Sequence, residues 1–273
     1  MKLNQGNYFS TEANMEYMSA SQFKDFLECE VHGLAKARGE YVQETSNAML
    51  FGSYVDAYFS NELDEFKAKN PDMFTKTGEL KAAFKNIQEV ITAIESDEMM
   101  MKYLDGEKQK IMTGIINGVP YKIKVDSLLP NYIVDQKIMS SIKELVWKED
   151  SNGYNRKTDF VEAYGYDIQG AIYQEIVYQN IGKKLPFVLA ATTKEENPDK
   201  ALIQIDQEYL DRALTAVKAL SERYDLIKKG VIKPCGCGKC PSCRKGIKVK
   251  GIVSYKVLFN KSDLEKSNDT ENV

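Results

Sequence analysis

The sequence predicts an α/β domain, and three observations carry that prediction. Apolar residues recur at helical spacing through the first hundred positions, a three-stranded meander follows, and from residue 160 onward helical and strand-length apolar segments alternate. A chain of 273 residues with 43% hydrophobic residues can bury one core with appendages, which excludes disorder as its main state. No run approaches the ~20 apolar residues of a membrane span. Lys and Arg number 37 against 40 Asp and Glu, a formal charge of -3, so nothing in the total demands nucleic acid. A basic groove on an acidic body stays open. The single histidine, His32, disfavours catalytic triads and His-rich zinc sites, which leaves carboxylates, lysines and cysteines to carry any chemistry.

The elements follow in order. Residues 1–17 are polar without a trusted period and read as a flexible entry. Ser19 can cap a helix that carries Phe23, Phe26, Leu27 and Leu34. A second helix runs from Met49 to Phe59, and a third from about Leu80 to Tyr103 carries Phe84, Ile87, Val90, Ile91 and Ile94 on one stripe. Strands then flank Asn117-Gly118, a pair that accepts the positive φ angles of a type I′ hairpin turn. Pro130-Asn131 marks a second reversal into a strand over residues 132–138. A helix over about 160–180 stops near Gly182, strands lie at 185–191 and 201–205, and a last helix over about 207–229 ends at Gly230.

Placed on that meander, the charges converge. Alternation sets Asp135 and Lys137 on one face of their strand, and a turn centred between Pro130 and Asn131 sets Asp126 directly across from Asp135. Two carboxylates so placed repel each other, and a hard divalent cation held by oxygen ligands resolves the conflict best. Lys137 on the same face could orient a nucleophilic water. On pattern alone, a solvated strand face with a salt-linked Asp-Lys pair fits as well.

Four of the five cysteines, Cys235, Cys237, Cys240 and Cys243, fall within nine residues, and Cys29 stands apart. The N-terminus from Met1 to Gly6 shows no charged and apolar export pattern, so a reducing cytoplasm is expected. Clustered thiols there read as metal ligands rather than disulfides. The compact cluster could close a four-cysteine zinc site by itself.

Asp126 followed by Ile133-Val-Asp135-Gln-Lys137 resembles the signature of PD-(D/E)xK nucleases. Gln169-Gly-Ala-Ile-Tyr173 is similar to the Gln-x3-Tyr helix motif of RecB-type members. Phe51-Gly-Ser-Tyr-Val-Asp56 resembles their Gly-x3-His motif, with Asp56 where relatives carry a metal-binding histidine. These motifs, with the Ser19–Cys29 segment, span about residues 18–245 and look closest to RecB/RecE-like exonucleases of phage and prophage recombination modules.

The resemblance implies a restriction-endonuclease-like αβββαβ core, a central mixed sheet flanked by helices, with extra N-terminal helices and a C-terminal Cys-rich segment. It implies a Mg2+ (or Mn2+)-dependent DNA exonuclease in which Asp56, Asp126 and Asp135 hold metal, with Asp126, Asp135 and Lys137 catalytic. Gln169, Tyr173 and Lys194 would contact DNA. The substrate would be linear duplex DNA degraded from 5′ to 3′, the exposed strand passing to a single-strand annealing protein, and a homo-oligomer is expected on the same ground. In iron-sulfur members of the superfamily one cysteine precedes the core and three follow it. That pattern implies a [4Fe-4S] cluster on Cys29, Cys237, Cys240 and Cys243, with Cys235 as the alternative ligand and Zn2+ as the alternative metal. Other outcomes are an endonuclease, a CRISPR-adaptation-type nuclease, and a DNA-binding subunit of nuclease fold that does not cut. The expected organisation is an entry at 1–17, the nuclease domain at 18–230, the Cys-rich segment at 231–250 and a tail at 251–273.

Overall fold

Asn117 and Gly118 adopt φ of 47° and 78°, the left-handed backbone of a type I′ turn, and pair Ile116 with Val119 across a two-residue loop. This hairpin seeds the sheet of the computed structural model, which describes residues 1–42, 44–149, 154–249 and 251–252. Ahead of it run α1 (Thr11–Glu16), α2 (Ala20–Glu28), α3 (Glu30–Ala37), α4 (Asn47–Phe59), α5 (Leu63–Lys69), α6 (Ile87–Glu95) and α7 (Glu98–Leu104). The meander is β1 (Glu107–Ile116), β2 (Val119–Leu128) and β3 (Ile133–Met139), followed by a small hairpin of β4 (Val146–Glu149) and β5 (Asn155–Thr158). Then come α8 (Phe160–Tyr164), α9 (Tyr166–Ile181), β6 (Phe187–Thr193), β7 (Lys200–Gln204), α10 (Gln207–Lys228) and α11 (Pro241–Lys245).

The main sheet has the order β1-β2-β3-β6-β7. It is mixed, because β6 runs parallel to β3 after the α8–α9 crossover while its other pairings are antiparallel. Helices cover both faces. Ile133 and Leu189 pack with α2, α9 and α10, whereas their neighbours Val134 and Ala190 pack with α4, α6 and α7. The two-residue period of a strand thus fills two cores from one sheet, with the apolar residues at the start of β3 and through β6 buried on both faces. The architecture is the α/β, helix-flanked mixed sheet expected above.

Several boundaries differ from the expectation. The helix that starts at Ser19 breaks at Cys29, whose φ of -164° ends α2 and begins α3. The stretch 80–103 breaks before Asp97, whose side chain caps α7 through the N–H groups of Met99 and Met100. Gly165, at φ 62°, divides α8 from α9. The polar stretch before residue 160 holds the β4–β5 hairpin, which no apolar period announces. Residues 1–17, expected to be flexible, instead contribute α1 and bury Tyr8 and Ala13 against the core. Of the expected tail at 251–273, all but residues 251–252 lies outside the described residues.

One close approach sets the position of α9. A Cβ on Gly170 would come within 2.6 Å of the Phe187 ring and 2.9 Å of Leu210, so only glycine lets α9 settle against β6. Gly170→Ala is therefore expected to cost about 1–3 kcal/mol through overpacking. Thermal unfolding should read this as a midpoint several degrees lower, and an unchanged midpoint would contradict the packing argument.

Candidate active site

The β2–β3 ladder pairs Leu128 with Ile133 and Ser127 with Val134, and one further step of this register sets Asp126 opposite Asp135. Pairing stops there. The Asp126 carboxylate Oδ2 accepts the backbone N–H of Gln136 at 2.9 Å, so a side chain replaces the next rung of the ladder. The strands part around the two aspartates and open a pocket of about 760 Å³.

Each remaining side chain reaches this pocket from a different element. Asp56 comes from α4, capped by Ser46 and packed on β3. Lys137 follows Asp135 on its strand face and is ion-paired with it. Gln169 on α9 donates through Nε2 to Asp135 Oδ1 at 2.6 Å, which the glycine at position 170 makes possible by bringing the helix close. Tyr173, one turn on, lines the pocket but is buried, and its hydroxyl donates to the Lys124 carbonyl at 3.1 Å. Lys194 reaches the rim from the end of β6, where its ammonium donates to the Ala48 carbonyl at 2.9 Å. All of the candidate residues Asp56, Asp126, Asp135, Lys137, Gln169, Tyr173 and Lys194 therefore border one cavity.

The electrostatics express the crowding. Burial, then the charges of Asp135 and Asp56, push the Asp126 carboxyl well above the usual carboxylate range. Burial raises Asp56 as well, against the pull of Lys124 and Lys137. Burial works against the Lys137 ammonium, but Asp135 and Asp126 outweigh it and hold its pKa above that of an ordinary lysine.

Sequence reasoning missed Gln109. It lies on β1 with a positive φ of 48°, a strained backbone for a residue with a Cβ, and it is buried beside the carboxylates. Its Nε2 donates to Ser60 Oγ at 2.9 Å and stands 3.4 Å from Asp56 Oδ1 and 3.5 Å from Asp126 Oδ1. Its Oε1 is buried without a hydrogen-bond partner among the described residues. No local pattern in the strand text signals such a residue. Oxygen donors of this kind suit a hard divalent cation, although among the described residues the carboxylates of Asp56, Asp126 and Asp135 are not drawn together at ligand spacing as the cysteines are.

A second cluster lies beyond α10. The Sγ atoms of Cys29, Cys237, Cys240 and Cys243 all lie within 4.8 Å of one another, with Cys29 3.6 Å from Cys243 and 3.7 Å from Cys240. The break between α2 and α3 delivers Cys29 to this group. Backbone N–H groups of Cys237, Cys240 and Cys243 donate to the sulfurs of Cys29, Cys237 and Cys240, respectively. The N–H groups of Cys240 and Lys239 draw the Cys237 thiol down to about 6. Cys235 stands outside the group; its N–H donates to Glu30 Oε2 at 2.7 Å, and Glu30 is paired with Arg223. His32 accompanies the segment through Ser242 at 2.8 Å and takes no part in the carboxylate pocket. No described helix is long and apolar enough to cross a membrane.

The profile of a family described as a PDDEXK-like domain of unknown function (DUF3799) matches residues 19–246. A crystal structure of a chain from Eubacterium rectale, named a "putative exonuclease", is similar with a TM-score of 0.88 and 46% identity, over 96% of this chain and 99% of that one. No curated protein matches.

The crowded carboxylates make a stability prediction. Because the folded protein raises the Asp126 pKa, the native state binds more protons than the unfolded one between the ordinary carboxylate value and the raised value, so stability falls as pH rises through that window. Asp126→Asn keeps an acceptor for the Gln136 N–H and removes the charge. In buffer without added divalent cation it is expected to unfold a few degrees higher than the native protein at neutral pH, the gap closing as pH falls. A variant less stable than the native protein at neutral pH would refute the assignment of repulsion to Asp126.

Proposed function

Since this chain belongs to the PDDEXK-like family, we propose that it is a divalent-metal-dependent deoxyribonuclease that attacks linear duplex DNA from its ends. The observation that carries the reading is the convergence of Asp126, Asp135 and Lys137 on one pocket, with Asp56 facing them from α4. The name given to the similar Eubacterium rectale chain supports the exonuclease class.

Asp56, Asp126 and Asp135 would hold Mg2+ or Mn2+. When bound, such a cation supplies Lewis acidity at a phosphoryl oxygen and relieves the repulsion among the carboxylates. The other roles belong to the chain itself. Lys137 presents its ammonium beside Asp135, placed to orient a water or to stabilise charge developing on the phosphate. Gln169 fixes the Asp135 carboxylate, and Tyr173 ties α9 to β2 through the Lys124 carbonyl, so both act first by holding the site in shape. Lys194 is placed at the rim to meet a backbone phosphate. The 5′-to-3′ polarity, the transfer of the exposed strand to an annealing protein, oligomer formation and a cytoplasmic location rest on the resemblance to RecE-like enzymes.

For the cysteines, thiolate spacing favours one tetrahedral ion. With a Zn–S distance of about 2.3 Å, neighbouring thiolates of a zinc site stand roughly 3.8 Å apart. Two separations of 3.6 and 3.7 Å lie close to that edge and the other pairs stay within 4.8 Å, whereas an iron-sulfur cube places its irons and sulfides between the thiolates and spreads them further. Zinc bound here would join α2 and α3 to the segment after α10.

Digestion of end-labelled linear and closed circular duplex DNA, with Mg2+ or a chelator, tests the reading. The native protein should degrade linear DNA only with metal, and Asp135→Ala or Lys137→Ala should lower the rate by at least about 10²- to 10³-fold. Cleavage that survives chelation or the Asp135 substitution would remove the metal-carboxylate mechanism, and equal attack on closed circles would make the protein an endonuclease. For the second site, anaerobically purified protein should be colourless and carry one zinc per chain. A brown protein containing iron and sulfide would decide for the cluster.

A further inference from the structure

Phe9 is 72% exposed, yet its place is held with care. It lines the same pocket as Asp126 and Asp135. Its ring stands edge to face against Tyr8, with centroids 4.9 Å apart and planes at 85°, and Lys124 Nζ lies 5.3 Å from its centroid. Lys124 precedes Asp126 by two residues on β2, so the cation beside the ring shares a strand face with a pocket carboxylate.

The segment that carries Phe9 is anchored on both sides by buried lysines. Lys122, 1% exposed, donates to the Tyr8 carbonyl and to Asn14 Oδ1 at 2.8 Å. Lys228, 3% exposed, donates to the Tyr17 carbonyl at 2.8 Å. Gln5 adds a bond to the Gln109 carbonyl at 3.1 Å. Burying ammonium groups is costly. Here that cost goes into seating a short N-terminal segment whose large aromatic ring stays in water at the pocket mouth, while the adjacent Tyr8 is buried.

We propose that Phe9 is the stacking platform for a nucleobase of the DNA strand entering the carboxylate pocket, with Lys124 meeting the phosphate of the same nucleotide. The inference rests on the nuclease reading and adds a base-binding subsite to it. An aromatic face accepts any base, so this subsite would hold a strand without selecting its sequence. Phe9 acts as a binding residue; the reacting atoms belong to the pocket beyond it.

A ring-by-base cycle tests the proposal. Binding of a labelled duplex in Ca2+ is followed by anisotropy for the native protein, Phe9→Ala, Phe9→Leu and Phe9→Trp, on duplexes with natural or abasic termini. Phe9→Ala and Phe9→Leu are expected to weaken binding of natural ends about 5- to 100-fold and to leave abasic-ended duplexes nearly unaffected. Phe9→Trp should restore binding, and with Mg2+ the loss should appear in KM rather than kcat. Equal losses on both duplexes, no loss, or full function in Phe9→Leu would overturn the stacking role. Failure of the native protein to cleave any DNA would sink the nuclease reading while the binding cycle still decides on Phe9; failure to bind DNA at all would sink both.

Discussion

Mutual repulsion among aspartates is the constraint around which this molecule is arranged. The register of the meander sets Asp126 across from Asp135, and α4 brings Asp56 to the same space. A plain ladder through such a pair is destabilised by the facing charges, and here it gives way: the Asp126 carboxylate takes the Gln136 N–H in place of the next rung. This break in the ladder lies at the pocket. Lys137, Gln169 and the strained Gln109 then supply the donors that let the carboxylates remain together. Stability given up at such a site is characteristic of chemistry rather than packing.

The support for that pocket comes from far along the chain. Gly170 lets α9 lie close enough to β6 for its neighbour Gln169 to reach Asp135. The parallel β3–β6 pairing, which requires the helical crossover, places α9 over the face that carries Asp135 in the first place. Two apolar cores, one on each side of the sheet, clamp β3 and β6 and leave little freedom to the residues they carry.

Both flanks of the domain are tied down by polar or sulfur chemistry rather than by apolar burial alone. Lys122 and Lys228 hold the N-terminal segment against the pocket wall through backbone carbonyls. The cysteine group joins the α2–α3 junction to the segment after α10, with Glu30, Arg223 and His32 reinforcing the seam. The break at Cys29 belongs to this seam, since a continuous helix would carry that thiol elsewhere.

The strand text, the Asn-Gly and Pro-Asn turns and the two-residue alternation determined the meander, its register and the placement of Asp126, Asp135 and Lys137, because turn chemistry and strand period act between near neighbours. Helical spacing likewise put Asp56, Gln169 and Tyr173 on elements that could face the strands. The grouping of Cys29 with Cys237, Cys240 and Cys243 was legible only through the family resemblance, while the order of the sheet and the docking of residues 1–17 were decided only by tertiary structure. Gln109 and Phe9 belong to the same class. A glutamine in a strand and a phenylalanine in a polar leader carry no local signal, and their meaning comes from contacts made across the fold, Gln109 with residues on α4 and β2, Phe9 with a lysine on β2. Local sequence specifies local geometry; which distant groups share a pocket depends on how the whole apolar surface is buried at once.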